Sequence, residues 1–118
     1  MCGILAIIGK GKDEALVKAL SKRMSHRGPD ESDFHTTQNG HILSHERLSI
    51  IDLHSGKQPI KGTHTAYMVH NGEIYNHQEL RNGILKDHIF RTKSDSEVIP
   101  NTIIIYSDFV YMICFIIL

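Results

Sequence analysis

A cysteine stands second in the chain, directly behind the start methionine, in "MCGIL". Removal of Met1 would leave Cys2 with a thiol and a free α-amine on one residue. The ordinary pKa values of those groups, about 8.5 and about 8, let the amine serve as base for its own thiol near neutral pH. Such a pair makes a nucleophile that carries its own base. The plain alternative is a small apolar start to a strand, and position alone does not separate the two.

Another pair has matching chemistry. Asn71-Gly72 in "HNGE" combines a carboxamide with a backbone that can approach a developing oxyanion closely, and it is equally suited to a tight turn. Arg47, taken in isolation, reads as a surface partner of Glu46. Asp95, taken in isolation, reads as a helix cap. Of the nine histidines, only His41 and His45 show a metal-like spacing. Four residues apart on a strand they stand roughly 13 Å from each other, too far for one zinc ion. The histidines are expected to be scattered on the surface, and no metal is expected.

These groups must be positioned by a small chain. "GILAIIG" reads as a buried strand closed by glycine. "DEALVKALSKRMSHRGP" reads as a helix, with Asp13 as cap, Leu16, Ala19, Leu20 and Met24 as its core-facing stripe, and Gly28-Pro29 as its stop. "DFHTTQNGHILSH" carries Asn39-Gly40 between two alternating runs, a strong hairpin signal. "RLSIIDL", "TAYMVH" and "HIFRTK" read as further strands, "HQELRNGIL" as a short helix, and "SDSEVI" as the start of another capped by Ser94 or Asp95. Strands joined by turns with helices between them predict an α+β fold, antiparallel sheet packed on helices.

With 118 residues, 41% of them hydrophobic, the chain holds at most one modest core. Thirteen basic residues balance thirteen acidic ones, so nothing points to nucleic acid. Cys2 and Cys114 form no C-x-x-C pair or disulfide framework, and no signal peptide is legible, which predicts a cytoplasmic protein. Past Pro100, a poor fit beyond the first turn of a helix, residues 103–118 are apolar except for Ser107 and Asp108. That run is shorter than the about 20 residues of a membrane span, and a central aspartate costs about 3 kcal/mol on insertion scales. A membrane anchor, a buried strand pair and an out-of-frame or truncated end are the three readings of it, and the last is favoured.

Taken together, "MCGI", "HRGPD" (26–30), "HERLSIID" (45–52), "HNGEIYN" (70–76) and "SDSE" (94–97) closely resemble the glutaminase domain of glutamine-dependent asparagine synthetases. That domain is a type 2 glutamine amidotransferase and an N-terminal nucleophile hydrolase. The resemblance implies two antiparallel β-sheets layered with helices (αββα), incomplete here. Residues 2–99 would be the front part of the domain and 100–118 a divergent apolar tail with no domain of its own.

It further implies hydrolysis of L-glutamine to glutamate and ammonia through a Cys2 thioester, for asparagine biosynthesis. Asn71 and Gly72 would form the oxyanion hole. Arg47 would hold the α-carboxylate and Asp95 the α-ammonium, with Leu48, Ser49, Ile50, Ile51 and Glu73 lining the rest. Arg27 and Asp30 are expected to stabilise their loop and not to touch substrate. ATP and magnesium would belong to a synthetase domain outside these residues, so this chain is expected to hold no cofactor and to make no asparagine alone. The expected partners are glutamine and a synthetase domain or an intact homologue, with no nucleic acid and no membrane. Two readings compete: an inactive truncated remnant, favoured by the change of character after Ile99, and a tail-anchored binding module, favoured only by the apolar tail.

Overall fold

The computed structural model of the chain describes residues 1–9, 11, 13–49, 55–62 and 67–106, with side chains through residue 102. Strands β1 (Gly3–Ile7), β2 (Glu31–Thr36) and β3 (Ile42–Arg47) form an antiparallel sheet in the order β1-β3-β2. A helix, α1 (Glu14–Lys22), connects β1 to β2 and packs against β1 and β3. Two short strands, β4 (Ile60–Lys61) and β5 (Tyr67–Met68), pair antiparallel. The described chain closes with α2 (His77–Asn82), a 3-10 turn over Asp95–Glu97, and α3 (Val98–Tyr106). This is an α+β arrangement of antiparallel sheets and helices, as the spacing of turns and periodic runs predicts.

Local sequence accounts for much of it. Asp13 caps α1, its carboxylate accepting from Ala15 N–H at 2.9 Å and Leu16 N–H at 3.2 Å. The β2–β3 hairpin turns where Asn39-Gly40 predicts: Gly40 N–H donates to Thr37 O at 2.9 Å, and Gly40 takes the φ of +78° that favours glycine.

Four expectations are corrected. First, β1 is half-buried and not buried, because it is an edge of the described sheet and β3 holds the centre. All six residues of β3 are buried, including Ser44, His45, Glu46 and Arg47. Second, α1 turns Val17 and Ser21 inward and leaves Leu16 57% and Leu20 41% exposed. The reason is polar. The buried Glu46 carboxylate needs donors, and Ser21 Oγ supplies one at 2.6 Å while also pairing with Ser44 Oγ. Stranding that carboxylate would cost more than half-exposing two leucines.

Third, "HIFRTK" forms no strand. Arg91 N–H and Thr92 N–H donate to the Glu97 carboxylate at 2.9 and 2.8 Å, and the Arg81 guanidinium donates to Thr92 O and Ser94 O at 3.1 and 2.7 Å. Side chains therefore satisfy the backbone groups that a sheet neighbour would otherwise take. Fourth, "RLSIIDL" does not begin a new strand, since Arg47 ends β3; residues 50–54 lie outside the described residues. At Pro100 the helix continues, because the 3-10 turn hands over to α3 at Val98 and the proline falls in the first α-turn, where no N–H is required. The tail beyond Tyr106 lies outside the described residues.

Candidate active site

Cys2 precedes β1, whose register pairs Gly3 with Glu46 and so brings the cysteine alongside the end of β3. Leu48 N–H points at Cys2 Sγ from 3.4 Å, and the thiol lies 3.8 Å from Leu48 O. The Cys2 nitrogen, which would become the α-amine once Met1 is removed, donates to Asn71 Oδ1 at 2.9 Å. That bond fixes the orientation of the carboxamide. Its oxygen must face Cys2, so its Nδ2 donors remain for a ligand. Arg27 Nε–H donates to Cys2 O at 3.3 Å, which gives "HRGPD" a direct hold on the cysteine backbone. Asp30 is structural, accepting Ser49 N–H at 2.7 Å.

A cavity of about 340 Å³ opens beside the thiol, of a size that suits a small ligand. Of the residues singled out from sequence, Cys2, Arg47, Leu48, Asn71, Gly72, Glu73 and Asp95 all line it. Ser49 is set back against Asp30, and Ile50 and Ile51 lie outside the described residues. Opposite charges are fixed in place. Arg47, 4% exposed, donates to Glu31 Oε2 at 2.8 Å, and Lys57 Nζ approaches Glu31 Oε1 at 3.5 Å. The hydrogen bond from Arg47 holds the Glu31 carboxyl below the usual carboxylate range. Asp95, 6% exposed, accepts Ile74 N–H at 2.6 Å. The lining of the cavity thus includes a thiol, a carboxamide, a guanidinium and a carboxylate.

A family model for the glutamine amidotransferase domain matches residues 1–109. The chain belongs to that family. Among similar proteins, an asparagine synthetase [glutamine-hydrolyzing] of Brassica oleracea is 50% identical over 107 residues, covering 86% of this chain. Asparagine synthetase [glutamine-hydrolyzing] 1 of Arabidopsis thaliana is 48% identical over 120 residues, covering 96% of it. Asparagine synthetase [glutamine-hydrolyzing] 2 of Oryza sativa subsp. japonica is 48% identical over 107 residues, or 86%. The chain spans only 18% to 20% of the length of these relatives.

In this amidotransferase domain the cavity also contains residues that the sequence reading passed over. His45 and His70 line it and are each 1% exposed, against the expectation of surface histidines. A signal for one of them exists: His45 lies two residues before Arg47 on β3, so both project to the same sheet face. Met1, Gly56, Gln58, Tyr75, Ser94 and Ser96 complete the added lining and have no such signal. Neither ring nitrogen of His45 has a hydrogen-bond partner among the described residues, nor has His70 Nε2. Among the described residues no group of three or more His, Cys, Asp or Glu could hold a metal ion, and no helix is long and apolar enough to cross a membrane.

Burial keeps His45 neutral, pushing its pKa down from 6.5 to about 4; the His70 backbone and Glu46 pull the other way, while Arg47 and the His70 ring add to the fall. Burial lowers His70 as well, opposed by Asp95. A histidine protonated only in the unfolded chain favours unfolding in acid. Stability is therefore full above about pH 6.5 and is lost as pH falls from there toward about 4. His45 alone makes the fold roughly 2 kcal/mol less stable at pH 5 than at pH 8, and His70 adds in the same direction. Urea midpoints across this range should show the slope, and His45→Gln should flatten it; a midpoint independent of pH between 8 and 5 would contradict the neutral, buried ring.

Proposed function

We propose that this domain hydrolyses L-glutamine to glutamate and ammonia, as the amidotransferase part of asparagine biosynthesis. The observation that carries the reading is the bond from the Cys2 nitrogen to Asn71 Oδ1, at the edge of a cavity that also holds Arg47 and Asp95. Arg47 and Asp95 supply the one positive and one negative charge that a free α-amino acid requires. With the α-carboxylate toward the first and the α-ammonium toward the second, the side-chain amide extends toward Cys2.

The thiol proton passes to the free α-amine of Cys2, and the thiolate attacks the amide carbon. The carbonyl π electrons move to oxygen, where Asn71 Nδ2 and Gly72 N–H stabilise the oxyanion. The intermediate collapses, the C–N bond breaks, and the departing ammonia takes the proton from the α-ammonium of Cys2. Water, deprotonated by the same amine, then cleaves the γ-glutamyl thioester to glutamate and regenerates the thiol. Nucleophile and base both reside on Cys2, so these steps call for no cofactor. ATP and magnesium serve the synthetase chemistry of a further domain, which is the proposed partner and ammonia acceptor.

The family relationship supports completion of the described sheets and helices to an αββα N-terminal nucleophile hydrolase fold. A free thiol at Cys2 suits a reducing cytoplasm. Met1 itself lines the cavity, so its removal would widen the mouth as well as free the amine.

The test is glutamate release from glutamine by the full chain, comparing protein with Met1 removed and protein with Met1 retained. Release by the first and none by the second is expected. Equal release by both would remove the α-amine from the mechanism. No release from a folded, processed chain would favour the inactive remnant.

A further inference from the structure

Three Asn-Gly pairs occur in the chain, at 39–40, 71–72 and 82–83. All share one chemical liability. The glycine nitrogen can attack the preceding side-chain amide, because glycine carries no Cβ to hinder the approach. Consecutive residues keep the two atoms within reach, so what separates the three sites is how each glycine nitrogen is engaged. Gly40 N–H donates to Thr37 O at 2.9 Å, and Gly83 N–H donates to Glu79 O at 2.8 Å. Among the described residues Gly72 N–H meets no acceptor.

The electrophile of the middle pair is activated as well. Asn71 Oδ1 accepts from the Cys2 nitrogen at 2.9 Å, and that donor stabilises the negative charge that an attack places on the same oxygen. Replacement of the glycine is closed off. A Cβ on Gly72 would come within 2.8 Å of His70 Nε2 and 3.2 Å of His70 Cε1, on a ring that is 1% exposed and held through Nδ1 at 3.0 Å from Ser96 Oγ. The arrangement that keeps Asn71 and Gly72 ready for a substrate oxyanion therefore leaves them open to reaction with each other.

We propose that Asn71-Gly72 is the deamidation site of this chain, and that deamidation there disarms the oxyanion hole. Hydroxide takes the Gly72 N–H proton, and the nitrogen bonds to the Asn71 side-chain carbon as the carbonyl π electrons move to Oδ1. Those electrons return, the bond to Nδ2 breaks, and the leaving nitrogen takes a proton from water and departs as ammonia. Water then opens the cyclic imide. Opening at the side-chain carbonyl gives aspartate, and opening at the main-chain carbonyl gives isoaspartate. Either product carries a carboxylate in place of the carboxamide donor, and a carboxylate repels a developing oxyanion. The loss of activity rests on the glutamine reading; the site of reaction does not.

The experiment ages the full, processed chain at mildly alkaline pH. Peptide mapping with isoaspartate-specific methylation follows each Asn-Gly pair, and glutamate release is read from the same samples. Asn71 should deamidate roughly fivefold faster than Asn39 or Asn82, the range of the main-chain hydrogen bond that their glycine nitrogens must first break. In urea-unfolded chain the three rates should converge. Glutamine turnover should fall in step with the fraction deamidated at Asn71 and be indifferent to Asn39 and Asn82. Asn71→Asp, made directly, should reduce turnover on the order of 10²-fold while circular dichroism is retained.

Deamidation at Asn39 or Asn82 as fast as at Asn71 overturns the proposed site, as does the same ranking in folded and unfolded chain. Turnover undiminished in chains deamidated at Asn71, or in Asn71→Asp, overturns the disarming. A fresh chain without turnover would remove the glutamine reading, while the ranking of the three rates still decides the site.

Discussion

Cys2→Ala should reduce glutamate release from glutamine to background, a loss on the order of 10³-fold or more, because the sole nucleophile of the covalent route is gone. Cys2→Ser should leave at most a trace, since a hydroxyl of far higher pKa replaces the thiol in the same place. Neither change should unfold the chain. Cys2 is half-buried, and its bonds to Asn71 and Arg27 run through its main-chain nitrogen and oxygen, which alanine keeps. The control is therefore specific: circular dichroism and the calorimetric affinity for glutamine should be retained while turnover disappears. Turnover that survives in Cys2→Ala would place the nucleophile elsewhere and dissolve the thioester mechanism.

Gly28→Ala should be the most damaging single substitution away from the chemistry. A Cβ at Gly28 would meet Glu46 O at 2.0 Å, Glu46 C at 2.3 Å and Arg47 C at 2.6 Å. These are backbone atoms at the end of the central strand and cannot rotate aside as a side chain would. The loop "HRGPD" and β3 must separate, at a cost of roughly 3 kcal/mol or more. The separation strikes the site directly. Asp30 N–H donates to Arg47 O at 3.0 Å across this contact, Arg27 reaches Cys2 O from the same loop, and Leu48 beyond Arg47 supports the thiol. A lowered urea midpoint should come with a raised KM for glutamine. A variant with unchanged midpoint and KM would show that the loop packs differently from the structure described.

The effects of these two substitutions sit at different levels, and the sequence exposes them unequally. The place of Cys2 in the chain raises the nucleophile reading before any fold is known, whereas the role of Gly28 depends on contact with Glu46, eighteen positions later on β3. The same division runs through the site. Cys2, Arg47, Asn71, Gly72 and Asp95 were singled out by the resemblance of five motifs taken together, since each residue alone also fits a structural reading, and the structure brings all of them to one cavity. His45 and His70 were not, because their significance lies in burial, and burial is set by residues far away along the chain.

The sequence by itself determined the features that close within a few residues. Asp13 caps α1 through N–H groups two and three positions on, and Asn39-Gly40 turns the β2–β3 hairpin through a bond that spans Thr37 to Gly40. Only the tertiary structure decided which face of α1 is buried, that Glu97 rather than a neighbouring strand takes the backbone of Arg91 and Thr92, and that β3 carries four polar residues through the middle of the sheet. The physical reason is common to all three. Apolar periodicity indicates where hydrophobic burial is favourable, but a buried carboxylate or imidazole is tolerable only where partners meet it. Ser21 and Glu46, or Cys2 and Asn71, become partners only when the chain has folded.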